Sequence, residues 1–149
     1  MNAPVRFQRA NFVVADLDRA LAFYRDVLGF TVEYRLGHNP ESYSFDVFDI
    51  PTDATIGFAT LSTESQQRVM ALTEIRSESM QPAPHPRRSA IVLEVADPDA
   101  VIAGARDLGL TVYDEEILKT QDGREGREVG IVDFDDNLIV IYNITSKAT

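Results

Sequence analysis

The fold is decided by a stretch that occurs twice, ADLDRALAFYRDVLGFTV at residues 15–32 and ADPDAVIAGARDLGLTV at residues 96–112. Both copies open with Ala-Asp-x-Asp, carry Arg-Asp in their second half, and close with glycine, an apolar residue and Thr-Val. The offset between the copies is 81 residues at the start and 80 at the closing glycine, so the second copy has lost one residue. Such a repeat predicts two tandem copies of one supersecondary unit.

Each copy predicts an amphipathic helix with a defined start and end. In the first copy, apolar residues recur at spacings of three and four from Leu17 to Leu28, which is the period of a helix with one buried face. Pro98 occupies the first helical position of the second copy. Aspartate is a favoured N-cap and glycine a favoured C-terminal stop. The predicted caps are Asp16 or Asp18 and Asp97, and the predicted stops are Gly29 and Gly109.

Alternating apolar and polar residues predict strands before and after each helix. In chain order, the predicted strands are residues 7–14, 30–34, 44–50, 55–61, 68–75, 88–95, 110–113, 127–132 and 138–143, with a turn at 133–137. The segment between the copies is rich in proline and polar residues and predicts a linker. The predicted organisation is one domain over residues 1–149, with a first module at 1–76, a linker at 77–87 and a second module at 88–149.

Composition narrows the possible partners. The 149-residue chain has 14 basic and 24 acidic residues, a net charge of −10, which disfavours nucleic acid and attracts cationic small molecules. No apolar run approaches the roughly 20 residues that span a membrane. The absence of cysteine excludes disulfide and thiol chemistry and fits a cytoplasmic protein.

Two stretches resemble the vicinal oxygen chelate superfamily, which includes glyoxalase I, bleomycin-resistance proteins, fosfomycin-resistance proteins and extradiol dioxygenases. They are VVADLDRALAFYRDVLGF at 13–30 and GREVGIVDFDDNLIVIYN at 126–143. The resemblance implies an α+β fold in which two tandem βαβββ modules form a curled, mostly antiparallel sheet around a cleft, with helices on the convex side. It also implies a homodimer. The sequence leaves open whether the modules pair within one chain or across two.

Enzymes of this superfamily hold a divalent metal on His and Glu side chains, and the resemblance indicates the corresponding positions here. These positions are Arg9, Ala90, Val140 and either Gly57 or Ala71. None of the five offers a usual metal ligand. Both histidines, His38 and His85, lie in predicted loops beside prolines. We therefore expect no metal of the family type and no other cofactor.

The candidate ligand-binding residues are side chains predicted to face the cleft, namely Arg9, Asn11, Phe58, Glu94, Glu128 and Tyr142. Arg9 offers a planar cation to a carboxylate or a carbonyl oxygen. The alternatives for Arg9 are an ion pair with an acid such as Glu94 or a dimer contact. In GREGRE at 123–128, which also contains Arg124, either Arg127 or Glu128 contacts a ligand at the cavity rim or the segment forms a solvated charge cluster.

Three functions are compatible with these residues. The first is a metal-independent small-molecule-binding protein that sequesters a natural product or an aromatic metabolite. The second is a metal-free isomerase or lyase using Arg9, Asn11, Glu94 or Glu128, and the third is a divalent-metal glyoxalase or dioxygenase. We favour the first, because the metal ligands are missing, the predicted cleft contains aromatic residues, and the chain is acidic.

Overall fold

The computed structural model describes residues 3–146, so the first two and last three residues of the predicted domain range lie outside the described part. The elements are, in order, β1 (Ala10–Val14), α1 (Leu17–Tyr24), β2 (Thr31–Leu36), α2 (Ser44–Val47), β3 (Thr55–Ser62), β4 (Met70–Arg76), β5 (Ala90–Glu94), α3 (Pro98–Asp107), β6 (Thr111–Val112), β7 (Glu116–Lys119), β8 (Glu125–Val132) and β9 (Leu138–Ile144). This order confirms the α+β class and the tandem βαβββ pattern. None of the described helices is long and apolar enough to span a membrane.

The first compact unit contains residues 3–21 and 29–81. Its four-stranded sheet has the order β1-β4-β3-β2, with β1 parallel to β4 and the other pairs antiparallel. On one face, Phe12 and Leu72 are paired and buried. Glu74 shares that face and accepts a hydrogen bond from the backbone amide of Leu17 at 2.5 Å, so this face meets the start of α1. The opposite face carries Asn11, and we call it the Asn11 face.

The second compact unit contains residues 22–28 and 82–146. Its sheet has the order β5-β9-β8-β6, and β7 also pairs with β8. One face is apolar and buried at its centre, where Val129, Ile131, Ile139 and Ile141 are each at most 2% exposed. The opposite face is open, because Val92 on β5 is 63% exposed. Alternation along each strand therefore separates a core face from a solvent-accessible face.

The caps of the long helices agree with the sequence prediction. The Asp16 carboxylate accepts a hydrogen bond from the Arg19 amide at 3.1 Å, and the Asp97 carboxylate accepts one from the Ala100 amide at 3.1 Å. Asp16, rather than Asp18, is therefore the first cap. The closing glycines have φ values of +87° and +78°. Those left-handed values favour glycine and explain why both copies of the repeat end with it.

One predicted strand is wrong and one strand was missed. Residues 44–50 form the short helix α2 and a turn, not a strand, and Asp49 adopts a left-handed φ of 54° after the helix. The apolar residues Phe45 and Ile50, which suggested alternation, pack on the same core cluster as Ile56. The missed strand is β7 (Glu116–Lys119), an edge strand whose charged, mostly exposed residues show no clear strand period.

A carboxylate organises the turn between β8 and β9. Oδ1 of Asp133 accepts hydrogen bonds from the backbone amides of Asp135 and Asn137, both at 2.8 Å. Oδ2 accepts from Nδ2 of Asn137 at 2.9 Å and from the hydroxyl of Tyr24 at 2.8 Å. Both Tyr24 and Asp133 are buried, and burial together with the carboxylate raises the pKa of Tyr24 well above its ordinary value. The predicted turn at 133–137 is confirmed. Both oxygens of the Asp133 carboxylate accept hydrogen bonds from residues of the second unit.

We predict that Tyr24→Phe lowers the free energy of unfolding by about 2 kcal/mol, because a hydrogen bond to a buried carboxylate is lost without a replacement. Chemical denaturation measures the change. Tyr43→Phe is the matched control, since the Tyr43 side chain is 75% exposed and should leave stability unchanged. Equal stability of both variants would contradict a structural role for the bond between Tyr24 and Asp133.

Candidate functional site

Strand pairing in the second unit aligns three carboxylates and one tyrosine across four strands. Glu94 pairs with Tyr142, Tyr142 pairs with Glu128, and Glu128 pairs with Glu116. Because paired residues lie on the same face of a sheet, the four side chains form one row on the open face. We call Glu94, Tyr142, Glu128 and Glu116 the acidic row. Three of its four members were predicted as ligand-binding residues.

A cavity of about 290 Å³ lies over three members of the acidic row, Glu94, Tyr142 and Glu128. Its lining combines apolar walls with polar groups and comprises Val92, Glu94, Leu118, Thr120, Arg124, Glu128, Tyr142 and Ile144. The one cation in this set, Arg124, donates from Nε to the Asp122 carboxylate at 3.0 Å. An aromatic ring between two carboxylates, with aliphatic side chains around it, is a surface suited to an amphipathic ligand.

The acidic row carries negative charge that the surrounding residues leave uncompensated. Among residues 3–146, no hydrogen bond or ion pair engages the carboxylates of Glu94 and Glu128. Glu116 stands directly opposite Glu128, and like charges in that position destabilise a sheet. A bound cation would relieve this repulsion.

Arg127 belongs to a separate charge cluster. Its guanidinium donates from Nε to Glu115 at 2.6 Å and from Nη2 to Asp99 at 2.7 Å. The hydrogen bond with Glu115 contributes most to raising the pKa of Arg127, and the hydrogen bonds from Arg127 lower the pKa values of Glu115 and Asp99. Arg127 is thus committed to ion pairs, as one of the two alternatives for GREGRE predicts, and it does not line the cavity.

The remaining predicted residues lie in the first unit. Arg9 precedes β1, is half-buried, and donates from Nε to the carbonyl oxygen of Arg68 at 3.4 Å. Asn11 accepts a hydrogen bond from the Thr73 hydroxyl at 2.8 Å. Phe58 pairs with Thr73 on the same face. Asn11 and Phe58 are therefore brought together through Thr73, whereas Arg9 contacts backbone at the end of the sheet.

A second cavity, of about 230 Å³, opens on the Asn11 face. It is lined by Leu36, Gly37, Asn39, Ser42, Ser44, Ile56, Gly57, Phe58 and Thr73, all of which are uncharged. Among them, the sequence singled out Phe58 as a ligand-binding residue and Gly57 as one alternative for a metal position. The threonines on β3 and β4 were missed because an alternating threonine is typical of any strand and carries no functional signal by itself.

Strand register settles whether Ala71 on β4 or Gly57 on β3 corresponds to Val140. Val140 pairs with Val92, and the repeat offset relates Val92 to Asn11. Asn11 pairs with Ala71, so Ala71 is the equivalent of Val140, and Gly57 points to the other face beside Glu74. This removes the ambiguity left by the sequence.

The residues at the family's metal positions do not fit a metal. Arg9, Ala71, Ala90 and Val140 supply a cation and three hydrocarbon side chains, which cannot ligate one. Both histidines are engaged elsewhere, since His38 Nδ1 accepts from the Ile56 amide at 3.1 Å and His85 Nε2 lies 2.6 Å from the Asp136 carboxylate. Within residues 3–146, no group of three or more His, Cys, Asp or Glu side chains is arranged to hold a metal ion.

Comparison with known proteins agrees with this fold. Residues 6–141 match the Glyoxalase/Bleomycin resistance protein/Dioxygenase superfamily. Because the match covers most of its length, the chain belongs to that superfamily. A search of curated proteins by sequence found no match.

Solved structures with the same fold come from distant relatives. A glyoxalase family protein from Bacillus cereus has 18% identity and a TM-score of 0.74, with 97% of each chain covered. The fosfomycin resistance protein FosX from Listeria monocytogenes has 16% identity and a TM-score of 0.56, covering 97% of this chain and 96% of FosX. The trypanothione-dependent glyoxalase I from Leishmania major has 21% identity and a TM-score of 0.58, covering 94% of this chain and 87% of the glyoxalase. At these identities the similarity establishes the fold alone.

We predict that the stabilising effect of Arg127 disappears in acid. The folded-state pKa values of Glu115 and Asp99 are lowered, so their contribution is present above their ordinary pKa range and is lost as the pH falls through the folded-state values. The difference in Tm between the protein and Arg127→Gln should therefore be largest at neutral pH and shrink below about pH 4. Thermal unfolding across pH measures it.

The control for this experiment is Arg88→Gln, because Arg88 is exposed and forms no ion pair with the described residues. Its effect on Tm should be small and should vary little with pH. A Tm difference for Arg127→Gln that persists unchanged into acid would contradict the assignment of Arg127 to the cluster with Glu115 and Asp99.

Proposed function

We propose that this member of the glyoxalase superfamily is a metal-independent small-molecule-binding protein that takes a cationic aromatic compound over the acidic row. The observation that carries the proposal is the alignment of Glu94, Tyr142 and Glu128 under a cavity of about 290 Å³. Sequestration of a natural product or an aromatic metabolite needs binding only, and no catalytic group is required for it.

The chemistry of the acidic row supports a cationic ligand. Glu94 and Glu128 flank the Tyr142 ring on neighbouring strands, so a positively charged planar group over the ring would lie between two carboxylates. The ring face itself attracts a cation through its quadrupole. Val92, Leu118 and Ile144 offer apolar surface to the rest of such a ligand. The net charge of −10 would favour its approach at low ionic strength.

The donor set at the family's metal positions supports metal independence. A carboxylate or imidazole is needed to hold a divalent ion, and Ala90 and Val140 provide only methyl groups in the second unit. Arg9 would repel a cation at the corresponding position of the first unit. The fosfomycin resistance protein and the glyoxalase I that share this fold therefore support the architecture of this protein, not a reaction chemistry for it.

Benzamidine, a small planar aromatic cation, is the probe for the acidic row. We expect it to cause saturable NMR shifts at Tyr142 and its neighbours, and to bind about tenfold more weakly to the double variant Glu94→Gln/Glu128→Gln, because two surface ion pairs are lost. Binding should also weaken as salt is added. Each replacement keeps the shape of the side chain, and Glu94 is exposed, so folding should be retained.

Glu64→Gln is the matched control, since Glu64 is exposed and lies in the first unit. It should leave the affinity for benzamidine unchanged. If the double variant binds benzamidine as tightly as the unmodified protein, or if no saturable shift occurs near Tyr142, the proposed site is wrong.

Elemental analysis tests metal independence directly. Protein purified without chelators should contain no stoichiometric nickel, zinc, iron or manganese, because the family's ligand positions lack donors. The benzamidine titration should be unchanged after dialysis against a chelator. One equivalent of any of these metals in the purified protein would overturn this part of the proposal.

A further inference from the structure

The cavity over the acidic row changes in character along β7, β8 and β9. Two residues along each strand from the acidic row, Leu118 and Ile144 each pair with Gly126 and give the cavity apolar walls. Beyond them, Thr120 and Arg124 end the cavity where β7 turns into β8, and the Thr120 amide donates to the Arg124 carbonyl oxygen at 2.9 Å. From the acidic row to this turn, the lining therefore passes from carboxylates through hydrocarbon to a guanidinium.

The Arg124 guanidinium is anchored on one side and available on the other. Its Nε donates to the Asp122 carboxylate at 3.0 Å, and Asp122 also accepts from the Thr120 hydroxyl. Among residues 3–146, no acceptor engages Nη1 or Nη2 of Arg124, and the side chain is 43% exposed. These two nitrogens form a planar pair of donors that matches the two oxygens of a carboxylate.

The ion pair with Asp122 leaves Arg124 able to bind a second carboxylate. The same chain contains a guanidinium that serves two carboxylates at once, since Arg127 donates to both Glu115 and Asp99. Among the described residues, Arg124 has one such partner. A carboxylate brought by a ligand would give Arg124 the same double pairing.

The strand geometry keeps the opposite charges of the cavity apart. A strand rises about 3.4 Å per residue, so the Cα atoms of Glu128 and Arg124 lie roughly 13 Å apart. Within the described part of the chain, the ion pair of Arg124 is with Asp122 and not with the glutamates of the acidic row. Charges of both signs are therefore available to a compound bound in the cavity.

We infer that this cavity selects a zwitterionic compound, with a cationic group over the acidic row and a carboxylate on Arg124. A one-ring apolar body between the two groups packs beside Leu118 and Ile144. Because the cationic group is held by the acidic row, this ligand class rests on the proposed function. Arg124 is the residue that distinguishes such compounds from simple cations, which leave its Nη atoms unused.

The test compares 4-amidinobenzoate with 4-amidinobenzamide, two benzamidines that differ in the charge of the group opposite the amidinium. We expect both to cause saturable NMR shifts near Tyr142, and the benzoate to bind about fivefold more tightly, because its carboxylate forms an ion pair with Arg124. The benzoate should also shift the Nε–H signal of Arg124. Without that contact the order would be reversed, because the glutamates of the acidic row and the net charge of −10 repel a carboxylate.

Arg124→Gln should remove this preference and make 4-amidinobenzamide the tighter ligand. The same variant should bind benzamidine slightly more tightly, because a positive charge has left the cavity. The backbone hydrogen bonds of residue 124 are retained, so we expect an unchanged Tm. Lys119→Gln is the matched control, since it removes the same charge from β7, whereas Lys119 is 75% exposed and does not line the cavity. It should keep the preference for the benzoate.

The outcomes separate the role of Arg124 from the proposed function. If 4-amidinobenzamide binds the unmodified protein as tightly as the benzoate, or if Arg124→Gln keeps the preference for the benzoate, the inference is wrong while benzamidine binding at the acidic row still stands. If neither these two compounds nor benzamidine cause a saturable shift near Tyr142, the proposed function and the role of Arg124 are both overturned.

Discussion

The strand register of the second unit depends on the hydrogen bonds that the buried Asp133 carboxylate accepts. The carboxylate holds the turn between β8 and β9 through two backbone amides and also binds Tyr24 and Asn137. A turn of fixed length sets the register of the hairpin that it closes, and a slip of one residue would move every side chain to the other face. The register held by Asp133 pairs Val132 with Leu138 next to the turn. Six residues away from the turn on each strand, it pairs Gly126 with Ile144. Within that ladder Glu128 meets Tyr142, so the candidate site exists because the turn is closed in this way.

The two modules share a scaffold but present different chemistry at equivalent positions. Pairing within each sheet makes the row Glu94, Tyr142 and Glu128 equivalent to the row Val13, Thr73 and Phe58. The second unit thus carries charge where the first is neutral. Conversely, Asn11, Ala71 and Thr60 in the first unit correspond to Val92, Val140 and Gly130 in the second. The two units therefore share the capped helix and the strand order and differ in the side chains on these faces.

Sequence reasoning named more members of the acidic row in the second unit than residues of the Asn11 face in the first unit. Glu94 and Glu128 were predicted because their strand positions could face the cleft, and Tyr142 because it alternates in step with Val140; the register then brings the three together. Glu116 was missed because β7 is an exposed, charged edge strand without an apolar period. In the first unit, Asn11 was recognisable on its strand face, but the complete burial of Thr60 follows only from the structure. Arg9 was predicted within the first strand, facing the cleft, whereas it precedes β1, and its contact with the Arg68 carbonyl has no signature in the sequence.

The sequence by itself determined the tandem βαβββ pattern, the cap at Asp97, the glycine stops, and the absence of metal ligands at the positions that the family resemblance indicates, whereas the choice of Asp16 over Asp18 as the first cap came from the structure. These properties are local, since a cap, a left-handed glycine or a missing imidazole is fixed by a few neighbouring residues. Tertiary structure decided the pairing of strands and hence which side chains form a row. It also decided that residues 44–50 fold as a helix and a turn, and that Arg127 belongs to ion pairs rather than to the cavity. Those outcomes depend on contacts between segments far apart in the chain, which alternation along a single strand does not encode.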